Sequence, residues 1–259
     1  MKKRIFFFLS LAFVIGCLGL AKEAQAATVD LSTGGSGFAE GAFFQWTDLN
    51  HNAVGTGVID PFVRIQANGT EQGYNTDGRP VPFDEKTNAT DTHSLLFNTV
   101  PLVNLNGTDY REFLLDVAEP GNNDTTFISL DQLKIWLMDD PDITTTNLGD
   151  FGGPLFDLGD NSVLIRGDLN PGNGKGDVLV YIPDDLFTGN NHPYLYFYSQ
   201  FGDSDASFEE WAVCHQVGGC LGGGTPPNGV IPEPSSLGLL GVGLLGLWKR
   251  KNLFVKKRG

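Results

Sequence analysis

Three stretches of this chain place together side chains of the types that do chemistry. In Asp168-Leu-Asn-Pro-Gly-Asn-Gly-Lys-Gly-Asp177, two carboxylates and two amides, Asp168, Asn170, Asn173 and Asp177, share one glycine-rich loop. Hard oxygen ligands on a bendable backbone are what Ca²⁺ takes, so calcium is the cofactor this sequence suggests. Against that reading, the loop lacks the bidentate acid at position twelve of an EF-hand, and Lys175 opposes a cation. An Asx-rich hairpin loop has the same composition. The runs Asp139-Asp140-Pro-Asp142 and Asp157 to Asp160 share the ambiguity. Cys214 and Cys220, with His215 between them, suit either a disulfide or a metal-holding pair; a structural zinc site asks for four ligands, and a fourth is not evident. Glu209 and Glu210 have the chemistry of a glycosidase pair. Neighbours on a strand point to opposite faces, however, so one strand cannot aim both at a sugar.

Ser204 belongs to Gly202-Asp-Ser-Asp, which resembles the Gly-Asp-Ser block of SGNH esterases, and Tyr194 to Phe201 precedes it as a strand. In that family the block lies near the start of an α/β domain and an Asp-x-x-His lies near its end. Here the Asp-x-x-His between 27 and 230 is Asp48 to His51, ahead of the serine, and helical stripes are missing. A strand-to-strand turn is the better reading. Neither Gly-x-Ser-x-Gly nor His-Glu-x-x-His occurs, so no catalytic residue is assigned and the chain is not expected to be an enzyme.

The elements that must position these groups are strands. Apolar residues alternate with polar ones in Tyr110 to Val117, with Phe113, Leu115 and Val117 inward, and in Gln132 to Met138, with Leu133, Ile135 and Leu137 inward. Asp177 to Ile182 offers Val178, Val180 and Ile182. Further strands are expected at 38–46, 53–59, 61–67, 94–104, 162–166, 194–200 and 207–213, separated by Gly, Asn, Asp and Pro. The fold class is therefore all-β: an antiparallel two-sheet sandwich, jelly-roll-like, of roughly ten strands. Tyr194, Tyr196 and Tyr198 share one face of their strand; exposed they would stack on sugar rings, but sandwich core is the favoured reading.

Both ends of the chain read as membrane-directed. Lys2-Lys3-Arg4, an apolar core from Ile5 to about Leu20 and Ala24-Gln25-Ala26 form a secretory signal, with a rival lipobox ending at Cys17. Residues 27–230 then hold seven Lys and Arg against 29 Asp and Glu, a formal −22. Such a surface repels nucleic acid and anionic lipid, which excludes nucleic-acid partners. Export makes a disulfide the default for Cys214 and Cys220. Residues 218–229, rich in Gly and Pro, form a linker with a reach on the order of 20 Å. Beyond it stand Val230-Ile-Pro-Glu-Pro, an apolar run from Leu237 to Trp248, and Lys249-Arg250-Lys251. As a helix the run rises roughly 18 Å, short of the ~30 Å hydrocarbon core, while the cations favour the cytoplasmic side.

This tail resembles the PEP-CTERM sorting signal of Gram-negative surface proteins, with Pro232, Glu233, Pro234, Lys249, Arg250 and Lys251 as its signal residues. The resemblance implies recognition and cleavage by exosortase, a membrane-embedded cysteine transpeptidase-like enzyme, after transient anchoring in the inner membrane. Gly55-Thr-Gly-Val-Ile-Asp-Pro-Phe-Val-Arg-Ile-Gln, Glu71-Gln-Gly-Tyr-Asn-Thr-Asp and Phe208-Glu-Glu-Trp-Ala-Val look like an exported domain that recurs in that group. The expected organisation is a signal peptide at 1–26, a β-sandwich domain at 27–217, a linker at 218–229 and a sorting segment with its membrane-directed helix at 230–259. The expected role is a non-enzymatic surface or matrix protein in adhesion, biofilm or exopolysaccharide; a surface-anchored carbohydrate-binding module is the alternative.

Overall fold

Strands with one apolar side are stable only where a second layer covers that side, and the chain builds two sheets that cover each other. The computed structural model describes residues 26–47, 59–118, 127–169, 176–205, 207–215 and 219–220. In chain order the strands are β1 (Thr28–Asp30), β2 (Ser36–Ala39), β3 (Ala42–Trp46), β4 (Ile59–Ile65), β5 (Asn68–Tyr74), β6 (Leu95–Leu96) and β7 (Leu102–Leu105). They continue as β8 (Thr108–Val117), β9 (Phe127–Met138), β10 (Phe156–Asp157), β11 (Ser162–Arg166), β12 (Val178–Pro183), β13 (Tyr194–Asp205) and β14 (Glu209–Cys214). The first sheet runs β1-β11-β9-β13-β5, with β10 beside β9 and β6 beside β13. The second runs β2-β3-β12-β8-β14-β4, with β7 beside β8. Pairing is antiparallel apart from β1 on β11. Among the described residues there is no α-helix, and none of their helices is long and apolar enough to cross a membrane. The expected signal peptide and C-terminal helix lie outside the described residues.

The inter-sheet core is filled as the alternation predicts, by Phe113, Leu115 and Val117 of β8, Leu133, Ile135 and Leu137 of β9, and Val178, Val180 and Ile182 of β12. Aromatic rings knit its centre. Phe197 lies 4.5 Å from Trp211, 4.8 Å from Phe113 and 5.6 Å from Phe62, all tilted or edge-on as ring quadrupoles prefer. The indole N–H of Trp211 donates to Ser199 Oγ at 3.0 Å, so burying that ring strands no donor.

Three strand boundaries differ from the sequence reading. Residues 38–46 fall within the hairpin of β2 and β3, because Glu40 and Gly41 both take positive φ, 48° and 82°, and turn the chain. The 94–104 stretch is split by a 3₁₀ turn at Phe97–Thr99. β5, whose Asn68-Gly-Thr-Glu-Gln-Gly-Tyr has no apolar alternation, is recruited as an edge strand by β13. Gly73 is needed there: a Cβ would press into Ile65 and Glu85. Most of the expected 53–59 strand lies outside the described residues.

In the tyrosine row Tyr196 and Tyr198 are buried and Tyr194 is half-buried, but not in the sandwich core. Leu195 and Phe197 point inward, while Tyr196 and Tyr198 form a second cluster on the outer face of the first sheet with Tyr74, Trp136 and Phe151. The segment between β9 and β10 folds over them. Tyr196 Oη donates to Asp140 O at 2.7 Å and accepts from Ile143 N, Tyr74 Oη donates to Thr145 O at 2.9 Å, and Trp136 Nε1 donates to Gly152 O. A stacking platform for sugars is thereby removed from that face.

Candidate functional site: the seam between domain and tail

β14 delivers Cys214 to the outer face of the second sheet, and the chain returns to that face at Gly219 and Cys220. The two cysteines form a disulfide with Cα atoms 5.2 Å apart. Each is 3% exposed, within an apolar cluster that includes Phe43, Leu114, Leu179 and Tyr181. A short loop closed in this way holds the end of the last strand.

Glu112 sits under this loop. It is an outward residue of β8, and it is 1% exposed. Cys220 N–H donates to its Oε1 at 2.5 Å, and Gly219, with φ +80°, lies so close that a Cβ there would collide with the carboxylate. Oε2 has no partner in hydrogen-bond geometry, and its polar neighbour is the Tyr181 phenol. Burial pushes the Glu112 carboxyl up to about 7, partly countered by the Cys220 N–H and by Tyr181. Burial, with the Glu112 charge behind it, pushes the Tyr181 phenol far above its ordinary value. The Glu112 carboxylate oxygen and both sulfurs lie within 4.8 Å of one another, all buried.

A second acidic site lies on the same face. Glu210 is in register with Asp116 of β8 and Arg64 of β4, and the Arg64 guanidinium binds it through Nε at 2.6 Å and through Nη2. Arg64 also reaches Asp91 at 3.2 Å and stacks on Phe208 at 4.5 Å. Burial raises the Glu210 carboxyl, Arg64 draws it back, and Asp116 and Asp91 push it up again. Glu209 faces the other way and is fully buried, so the two glutamates serve opposite faces, as adjacency on a strand requires.

The remaining sequence candidates are dispersed. Asp168, after β11 of the first sheet, accepts two hydrogen bonds from Arg166, at 2.5 and 2.9 Å, which hold its carboxyl below the usual range. Asp177 precedes β12 of the second sheet and is fully buried, with Oδ2 accepting Val117 N–H at 2.8 Å. Asn170, Asn173 and all six sorting-signal residues lie outside the described residues. Asp140 and Asp157 accept the N–H two residues on, at 2.9 Å each, which makes Asx turns of both acidic runs. Gly202-Asp-Ser-Asp is a bulge inside β13 rather than a strand-to-strand turn, with Asp203 at φ 63°. Ser204 is buried there, its Oγ 3.2 Å from Ala67 O and from Glu71 Oε2, and neither partner is an imidazole base. An open cleft of about 590 Å³ lies between Asp139, Leu155 and the 188–192 loop, with His192 Nδ1 2.8 Å from Asp139.

Fold and tail together define a class: a β-sandwich cargo joined to a C-terminal sorting segment. Residues 230–251 match the PEP-CTERM protein-sorting motif, which marks the chain as exported, targeted by exosortase and sorted to the cell envelope and surface. No curated protein and no solved structure matches the chain. Sequence reasoning found the tail and the cysteine pair; it missed Glu112, Tyr181 and the Arg64–Glu210–Asp116 group. The one signal for these was a charge, Glu112 or Asp116, between apolar residues at consecutive outward positions of β8.

Proposed function

We propose that this chain is a non-enzymatic surface or matrix protein of a Gram-negative cell, contributing to adhesion, biofilm or exopolysaccharide. The observation that carries the reading is the sorting motif at 230–251. Residues 27–217, with Gly219 and Cys220 pinned back onto the second sheet by the disulfide, are the displayed cargo, the rest of 218–229 is the spacer, and the apolar run ending at Trp248 is a transient membrane anchor. Connections β4–β5, β8–β9, β11–β12 and β13–β14 each pass from one sheet to the other, which favours a jelly-roll-like description of the cargo. Replacing Pro232, Glu233 and Pro234 with alanine should leave full-length precursor in the inner membrane fraction. Normal surface arrival of that variant overturns the sorting reading, and unchanged biofilm mass and polysaccharide retention in a deletion strain overturn the matrix role.

A carbohydrate-binding module is the second reading, and the cleft beside Asp139 and His192 favours it over the buried tyrosines. Its carboxylate, amides and imidazole suit sugar hydroxyls, with Leu155 as an apolar contact. A glycan array probed with the exported domain tests it, and binding that survives Asp139→Ala places any sugar site elsewhere.

A further inference from the structure

We propose that Cys214, Cys220 and Glu112 form a redox-gated site for a borderline-soft divalent metal ion of the zinc class. In the thiol state the three side chains supply two thiolates and one carboxylate oxygen, already within 4.8 Å of one another. Tetrahedral coordination with metal–sulfur bonds of about 2.3 Å asks for sulfurs roughly 3.8 Å apart, which opening the disulfide provides. The carboxylate is oriented for the task. Oε1 is held by the Cys220 N–H, as donors behind a metal hold ligating carboxylates, while Oε2 is buried with the Tyr181 phenol as its polar neighbour, in the apolar pocket that holds both sulfurs. Three protein ligands leave the fourth position to water.

Disulfide and metal exclude each other, so the site is gated by the thiol redox state. A phosphine reductant opens it: the phosphine takes oxygen from one water and becomes its oxide, and two electrons and two protons convert the disulfide to two thiols. Metal binding then releases both thiol protons to solvent, together with the Glu112 proton where that carboxyl is protonated, and the two thiolates with the Glu112 carboxylate outweigh the ion's two positive charges by one.

The test is a titration of the purified exported protein with Co²⁺, a spectroscopic stand-in for Zn²⁺, before and after anaerobic phosphine reduction. Reduced wild type should bind one ion per chain, with thiolate-to-cobalt charge-transfer and tetrahedral d–d bands, and oxidised protein should show neither. Glu112→Gln keeps both cysteines and should weaken binding at least about tenfold. Absence of the bands in reduced wild type overturns the proposal, as does equal affinity in Glu112→Gln, which would mean that two flexible thiols suffice. Should reduction loosen the fold, Zn²⁺ must restore the near-UV circular dichroism of wild type and not of Glu112→Gln. Failure to restore it, or Co²⁺ bands in Cys214→Ser/Cys220→Ser, also overturns it.

Discussion

On the outer face of the first sheet, Tyr74 and Tyr196 lie under a loop whose carbonyls and amides meet their hydroxyls, and the Tyr198 hydroxyl donates to Gln72 Oε1; on the outer face of the second, Glu112 lies beside a disulfide while Glu210 and Asp116 lie in register with Arg64. Both faces are sealed, by different means. A phenol both donates and accepts, and burial pushes Tyr196 and Tyr198 up to about 12, so the first face keeps one charge state across the physiological range. An ionised carboxylate only accepts, and residues 27–230 carry only seven Lys and Arg, so donors are scarce. Arg64 serves Glu210, the Cys220 N–H serves Glu112 with the Tyr181 phenol beside it, and the second face is left titratable near neutrality. Glu85, at the sandwich edge, shows how a buried carboxylate is satisfied without a cation: Tyr74 N–H and Phe83 N–H cap its two oxygens, at 2.9 and 2.8 Å.

The largest expected effect breaks the tyrosine face. Tyr196→Ala removes a buried ring in contact with Phe151 and Tyr74 and should cost about 3–5 kcal/mol in urea unfolding. Tyr196→Phe keeps the ring and strands Asp140 O and Ile143 N, for about 1–3 kcal/mol. If both variants lose equally, packing is not what seals this face.

Next is the disulfide. Peptide mass spectrometry of unreduced protein should find Cys214 linked to Cys220, and Cys214→Ala/Cys220→Ala should lose about 2 kcal/mol, at the low end for disulfides because the closed loop is short. Two alkylatable thiols in the native protein would remove the staple from the comparison.

The third prediction concerns pH. Glu112 and Glu71 titrate near 4.5 when unfolded and at about 7 when folded, because burial disfavours the ionised form. The folded state then holds protons that the unfolded state has released, so the stability they contribute is complete below pH 4.5 and is lost as pH rises towards 7. Glu85 and Glu210 are shifted in the same direction. Melting midpoints should therefore fall between pH 4.5 and 7, and Glu112→Gln should flatten part of that slope. A midpoint that climbs over this range would show that the buried carboxylates are ionised in the folded protein.

The smallest effect belongs to Asp168→Ala. Its carboxylate faces a partly exposed Arg166, and pairs of this kind contribute about 0–1 kcal/mol. A midpoint rise in millimolar Ca²⁺ that exceeds matched NaCl and disappears in Asp168→Ala would instead make this loop a calcium site, with the cation displacing Arg166.

Period-two alternation was enough to identify the inward sets of β8, β9 and β12, because a side chain's face on a strand depends only on its parity and each set meets the opposite sheet. Composition and order were likewise enough for the sorting tail and the acidic cargo, since a sorting signal is read as a linear segment and net charge is a sum. The outward sets were not legible. Whether Tyr196 and Glu112 meet water depends on which distant segment covers them, Asp140 to Gly152 in one case and Gly219 with Cys220 in the other, and neither local pattern encodes that cover. β5 was invisible because its partner β13, rather than its own residues, makes it a strand. The Glu112–Cys214–Cys220 group joins residues about a hundred positions apart, and only the pairing of β8 with β14 and the return of the chain at Gly219 bring a carboxylate beside two sulfurs.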